Sequence, residues 1–112
     1  MSDVVKRVIP GGYSDPRQPI NDQNILDKVK EEYKKRTGPN PRKFLAVLVR
    51  IQVVNGLHYL FKVDVGDGTY SHLKLYIPSG SIEPELVGFL LNKTLDDDLE
   101  DLKHGDENDT RQ

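Results

Sequence analysis

Residues 44–65 read FLAVLVRIQVVNGLHYLFKVDV, and their apolar side chains recur at every second position. Leu45, Val47, Val49, Ile51 and Val53 alternate with Phe44, Ala46, Leu48, Arg50 and Gln52, which is the period of a β-strand. The first half of this strand is apolar on both sides. One face should therefore carry a helix, while the opposite face is partly covered or tolerates exposed Val and Leu. Asn55-Gly56 then supplies two residues that tolerate positive φ, the pair a type I′ hairpin turn requires. Leu57, Tyr59, Phe61, Val63 and Val65 resume the alternation, so two long strands should pair antiparallel about that turn.

Downstream, Gly66-Asp67-Gly68 makes a second turn, and Tyr70 to Ile77 alternates Leu73, Leu75 and Ile77 with His72, Lys74 and Tyr76, a third strand. Pro78-Ser79-Gly80-Ser81 breaks the chain again, and Leu86 to Leu95 offers Val87, Phe89 and Leu91 as a last strand. Upstream the period is helical: Ile25, Leu26, Val29 and Tyr33 follow a cap at Asn21 or Asp22. Lys34, Lys35 and Arg36 suit a helix carboxyl end, and Gly38, Pro39 and Pro41 stop it. Residues Met1 to Pro19 mix Pro, Gly, Ser and charges; the short Val8-Ile9 run ends at Pro10-Gly11-Gly12, which predicts a flexible arm. One helix laid across four meandering antiparallel strands is the economical way to bury both apolar surfaces, an α+β fold.

Length and composition agree with one small domain: 112 residues, 36% hydrophobic and 30% charged. A formal charge of −2 argues against nucleic acid as a partner, since a basic excess drives phosphate binding. No window approaches the ~18 consecutive apolar residues of a membrane span, and the first residues hold no apolar core of signal-peptide length. The expectation is a cytoplasmic protein with no membrane contact, unconventional secretion left open. The absence of cysteine removes disulfides and thiolate chemistry and fits a reducing compartment. Beyond Leu95 eight acidic residues face only two basic ones. The last stretch, Lys103 to Gln112, has no apolar residue and is expected to be disordered.

Catalytic chemistry finds no foothold. His58 and His72 lie in predicted strands with no Cys or evident Ser to activate, and His104 lies in the acidic tail. Asp96-Asp97-Asp98 with Glu100 and Asp101 lacks the alternating ligands and central Gly of an EF-hand loop, so it reads as a solvated terminus. Gly66-Asp67-Gly68 stands between strands and not before a helix, which makes it a turn and not a phosphate cradle. No cofactor or metal is implied, and the chain reads as a binding protein, not an enzyme.

Three stretches taken together give that binding a direction: Ile9-Pro10-Gly11-Gly12, Gln52-Val53-Val54-Asn55-Gly56 and Ile77-Pro78-Ser79-Gly80. In this order, with a helix between the first and second, the chain resembles the cystatins, and among them the single-domain, disulfide-free stefins. Similarity extends over residues 8 to 102. The resemblance implies a strongly twisted antiparallel β-sheet wrapped around a single α-helix. It also implies a reversible, tight-binding inhibitor of papain-like cysteine peptidases such as cathepsins L, B, S and H. By the same likeness Gly11 matches the family's arm glycine, Ile9 and Pro10 would enter the non-primed subsites, Val53, Val54 and Gly56 would cover the catalytic centre, and Pro78 with its neighbours would touch the primed side.

On this reading residues 1–12 form the arm, 13–102 the cystatin-like domain and 103–112 an acidic disordered tail. The chain departs from the stefin pattern in three places. About eight residues precede the usual stefin start, the strand before Ile77 is about two residues shorter with Ser79 where Gly or His is common, and the tail continues past Leu102. A second reading, from a different class, is a non-inhibitory interaction module or a domain-swapped dimer in place of a monomer. The segment Ile51 to Leu57 is rich in β-branched residues and lacks Pro, so strands could exchange between two chains if its turn straightened.

Overall fold

Strand β1 (Leu45–Val54) pairs antiparallel with β2 (Gly56–Asp64) in the computed structural model, which describes residues 12–38, 40–102 and 107–108. Strands β3 (Tyr70–Pro78) and β4 (Glu85–Lys93) continue the antiparallel meander, and the sheet order follows the chain. A two-residue β5 (Glu107–Asn108) runs parallel to β4 beside Phe89 and Leu90. It falls within the stretch expected to be disordered; the rest of that stretch lies outside the described residues.

The simple alternation expected in β1 is interrupted. Ala46 faces Val63 and Leu48 faces Lys62, so Val47 is an extra residue, a β-bulge. The bulge reverses the phase: Ala46 and Val49 both reach the helix-side core, while Leu45 is left about half exposed. In β4 the partners step from Gly88 to Leu86 between Lys74 and Leu75, and Val87 is passed over. Leu86 and Phe89 therefore point into the core where Val87 and Phe89 were expected. A second irregularity in this strand pair lies beside Asn92, whose φ is 59°. Bulges bend a strand and raise its twist, and here they decide which side chains of β1 and β4 face the helix.

The helix forms in two pieces, α1 (Gln23–Asp27) and α2 (Lys30–Thr37). Between them the Lys28 and Val29 amides bond three residues back, to Ile25 and Leu26, so the backbone tightens for one turn before α2 resumes. Asp22 stands at the cap position, but its carboxylate makes no cap bond. Arg17 takes it in a two-pronged pair at 2.9 and 3.2 Å, and the Ile20 amide adds a third bond. Burial works to raise the Asp22 pKa, yet these bonds outweigh it and hold the carboxyl below its usual range.

Leu26, Val29 and Tyr33 pack on Val49, Phe61, Val63, Leu73, Leu75 and Phe89 to form the main core. The Tyr33 hydroxyl, buried there, shares a 2.7 Å bond with Ser71. On the other face of the sheet Leu60, Leu99 and Leu102 make a second, smaller core.

Candidate functional site

The β1–β2 turn has a single residue, Asn55, between the paired positions Val54 and Gly56. Asn55 does not adopt positive φ, so the expected type I′ turn is not formed; only Gly56 is left-handed, at φ 114°. Gly56 is needed for a further reason. A Cβ there would lie 2.3 Å from the Ile77 carbonyl oxygen and 2.9 Å from the Ser79 nitrogen. The turn after β3 therefore rests on the backbone of the β1–β2 turn, and the two form one edge of the molecule.

Val53 (43% exposed), Val54 (37%) and Asn55 project from this edge into solvent. Gln52, partly buried, lies in register with His58, and His58 with Tyr76. The Gln52 Oε1 and His58 Nδ1 are 2.6 Å apart, the His58 and Tyr76 rings are 5.1 Å apart, and the Tyr76 hydroxyl donates to the Asn55 carbonyl at 2.6 Å. This polar row across three strands braces the turn from behind. The sequence marks Tyr76 only as one residue of a strand face, and His58 only as a strand histidine with nothing to activate. Their signal was the register itself, since residues 52 and 58 are equidistant from Asn55.

In the β3–β4 turn Ser79 and Gly80 are exposed and Pro78 half-buried, with the Ser81 amide closing on the Pro78 carbonyl. Ile77 differs: its side chain belongs to the main core, and only its backbone reaches the edge. Of the arm residues, Ile9, Pro10 and Gly11 lie outside the described residues. Gly12 is half-buried and precedes Tyr13, which bridges antiparallel to Gln52. Ser14 and Arg17 add backbone bonds to Ile51 and Val49. The antiparallel sense runs the segment from Arg17 back to Tyr13 along β1 toward the Val53–Asn55 turn.

The opposite face of the sheet carries buried polar groups that the sequence reading treated as an ordinary polar side. Lys62, 1% exposed, donates its ammonium to the carbonyls of Leu95 and Asp97. Lys74 donates to the Leu102 carbonyl and the Asp101 carboxylate, each at 2.9 Å, and Arg50 to the Leu99 carbonyl at 2.7 Å. Three cations thus pin residues 95–102 across the sheet. The acidic run is not simply a solvated terminus, because Leu99 and Leu102 are buried while Asp96, Asp98 and Glu100 remain outside. Between the two lysines His72 is buried with no hydrogen-bond partner for Nε2 among the described residues. Burial, then Lys62 and Lys93, push its pKa down to about 4.

Among the described residues no three His, Cys, Asp or Glu side chains gather as metal ligands. The edge offers apolar side chains, Val53 and Val54, beside closely packed backbone.

Comparison with known proteins agrees with this geometry. The family model described as "Cystatin domain" matches residues 15–79. Mouse Cystatin-A is 39% identical over 94 residues, covering 82% of this chain and 97% of its own length. Human Cystatin-A is 37% identical over 95 residues, with 82% and 97% covered, and mouse Stefin-2 is 37% identical over 95 residues, with 83% and 92% covered. With its sheet, its helix and these matches over most of its length, the chain belongs to the cystatin family, as a stefin-type member.

Proposed function

We propose that the chain is a reversible, competitive, tight-binding inhibitor of papain-like cysteine peptidases, which occupies the active-site cleft with its arm and its two turns. Family membership supports the general role of cysteine protease inhibitor, and a pig relative, 34% identical over 97 residues, bears the name "Leukocyte cysteine proteinase inhibitor 1". The observation that carries the finer reading is the single edge. Gly56 lets the Pro78–Gly80 turn close onto the Val53–Asn55 turn, while the segment from Arg17 back to Tyr13 runs along β1 toward the same end.

Each component has a physical part to play. Val53 and Val54 sit on a braced strand end, so burying them costs little side-chain ordering and more of the contact becomes affinity. Gly11, without a Cβ, would let the arm pass close to a catalytic cysteine and turn away with no peptide bond aligned for attack. Ile9 and Pro10 would fill the non-primed subsites, with Pro78 and Ser79 on the primed side. An interface near roughly 800 Å² per partner suits such a wedge. Nothing covalent is involved, so inhibition is reversible. We assign the protein to the cytoplasm, with cathepsin L, B, S and H type peptidases as targets.

Titration of papain and cathepsin L with the full-length protein tests this. The expected result is stoichiometric loss of peptidase activity, recovered when excess substrate competes. No inhibition at micromolar protein would overturn the proposal. A panel that adds an exopeptidase with an occluded cleft then reads selectivity.

A further inference from the structure

We propose that the C-terminal segment 95–102 aims the N-terminal arm, with Tyr13, Arg50 and Asp101 as positioning residues. This rests on the inhibitor reading and deepens it. The segment is held along its whole length, by Lys62 at Leu95 and Asp97, Arg50 at Leu99 and Lys74 at Leu102. Leu99 and Leu102 are buried against Leu60 beneath it. It is therefore a fixed part of the sheet's outer face.

The arm base is tied to that fixed part at two points. Asp101 accepts from the Tyr13 hydroxyl at 3.1 Å and from Lys74 at 2.9 Å, so one carboxylate joins arm and sheet. Arg50 does the same in the other sense: its Nε donates to the Ser14 carbonyl at 2.9 Å, its Nη1 to Leu99, and its guanidinium lies 5.8 Å from the centre of the Tyr13 ring. The Tyr13 phenol is pushed well up by burial and then by Asp101, which keeps it a donor. Without these ties the arm base would be held by backbone bonds at Ser14 and Arg17 and by the Ser14 hydroxyl. With them, the direction in which the chain leaves Tyr13 is set before any peptidase arrives, and less freedom is lost on binding.

The test is a double-mutant cycle in the full-length chain against papain, using Asp101→Asn and Tyr13→Phe, each with and without Gly11→Glu. In the otherwise intact chain each should raise Ki about five- to tenfold, through faster dissociation, the size expected for losing one hydrogen bond of ordinary strength. In the Gly11→Glu background, where the arm no longer contributes, the same changes should alter Ki by less than about twofold. An equal rise in both backgrounds would assign these residues a merely structural part, and no rise in the intact chain would remove them from inhibition; either overturns the proposal.

Amide hydrogen exchange gives a second readout independent of inhibition. The Ser14 and Arg17 amides, bonded to Ile51 and Val49, should exchange faster in both single variants, and unchanged protection would equally overturn the coupling. If the unmodified chain fails to inhibit papain, the inhibitor reading falls, while the exchange data still decide whether segment 95–102 holds the arm base.

Discussion

A methyl group on Gly56 would press on the Ile77 carbonyl oxygen and the Ser79 amide while forcing an L-residue to φ 114°. Neither neighbour is the loose end of a side chain, so relief requires the two turns to part. We expect Gly56→Ala to cost about 2–4 kcal/mol, from the positive φ and the backbone overlap together. Urea denaturation should show a lower midpoint, and Ki should rise as well; an unchanged midpoint would mean that the turns are not wedged together. The sequence marked Gly56 for its positive φ alone, which is part of its role. Asn55-Gly56 suggested a two-residue turn, whereas the constraint comes from residues 77–79, which no local window contains. On the proposed inhibitor reading, Gly11 bears on the peptidase. Gly11→Glu puts bulk and charge where the backbone should run close to the peptidase, and binding should weaken by several kcal/mol; an unchanged Ki would remove Gly11 from the mechanism.

Segment 95–102 and the strands beneath it form an element whose stability can be tested apart from the edge. Leu99→Ala empties a buried site in the smaller core and should cost about 2–4 kcal/mol, read as a lower denaturation midpoint. His72 makes the same face acid-sensitive. Its folded pKa of about 4 lies below the unfolded value of 6.5, so between those limits the unfolded chain binds a proton that the folded chain refuses. Stability is therefore full above pH 6.5 and falls as pH drops toward 4, by roughly 3 kcal/mol over about 2.5 units. The facing charges are Lys62 and Lys93, which oppose protonation, and Asp97, which favours it weakly. His72→Gln should flatten the stability profile in this window relative to the unmodified chain; identical slopes would show that carboxylates alone set it. The strands themselves were readable because a period of two is written in side chains. The bulge at Val47, the passed-over Val87 and the tightened turn at Lys28-Val29 were not, since they are choices of backbone bonding. Leu99 and Leu102, three apart in an acidic run, were the available hint of docking, while the lysines that receive the segment looked like any polar strand face.

Convergence of the edge follows from topology. In a meander whose sheet order matches chain order, the first and third turns share one end and the second turn occupies the other, so residues 53–56 and 78–80 had to meet once four strands were recognised. The course of residues 13–17 does not follow from that rule; it depends on the Tyr13–Gln52 and Arg17–Val49 bridges. The same connectivity carries the competing assembly. If the Val54–Gly56 turn straightened, β1 and β2 would become one extended segment. The Tyr76 bond to Asn55 and the Gly56 contact with Ile77 and Ser79 would open, and each chain could complete its sheet with strands of another. That dimer buries Val53 and Val54 and abolishes the turn that the wedge requires. Size-exclusion chromatography with inhibition measured on each peak separates the two states: activity against papain should stay with the monomer, and mild heating that shifts material to the dimer peak should lower total inhibition in proportion. Equal inhibition per chain in both peaks would show either that the exchange occurs elsewhere in the chain or that the first turn is not the part that enters the cleft.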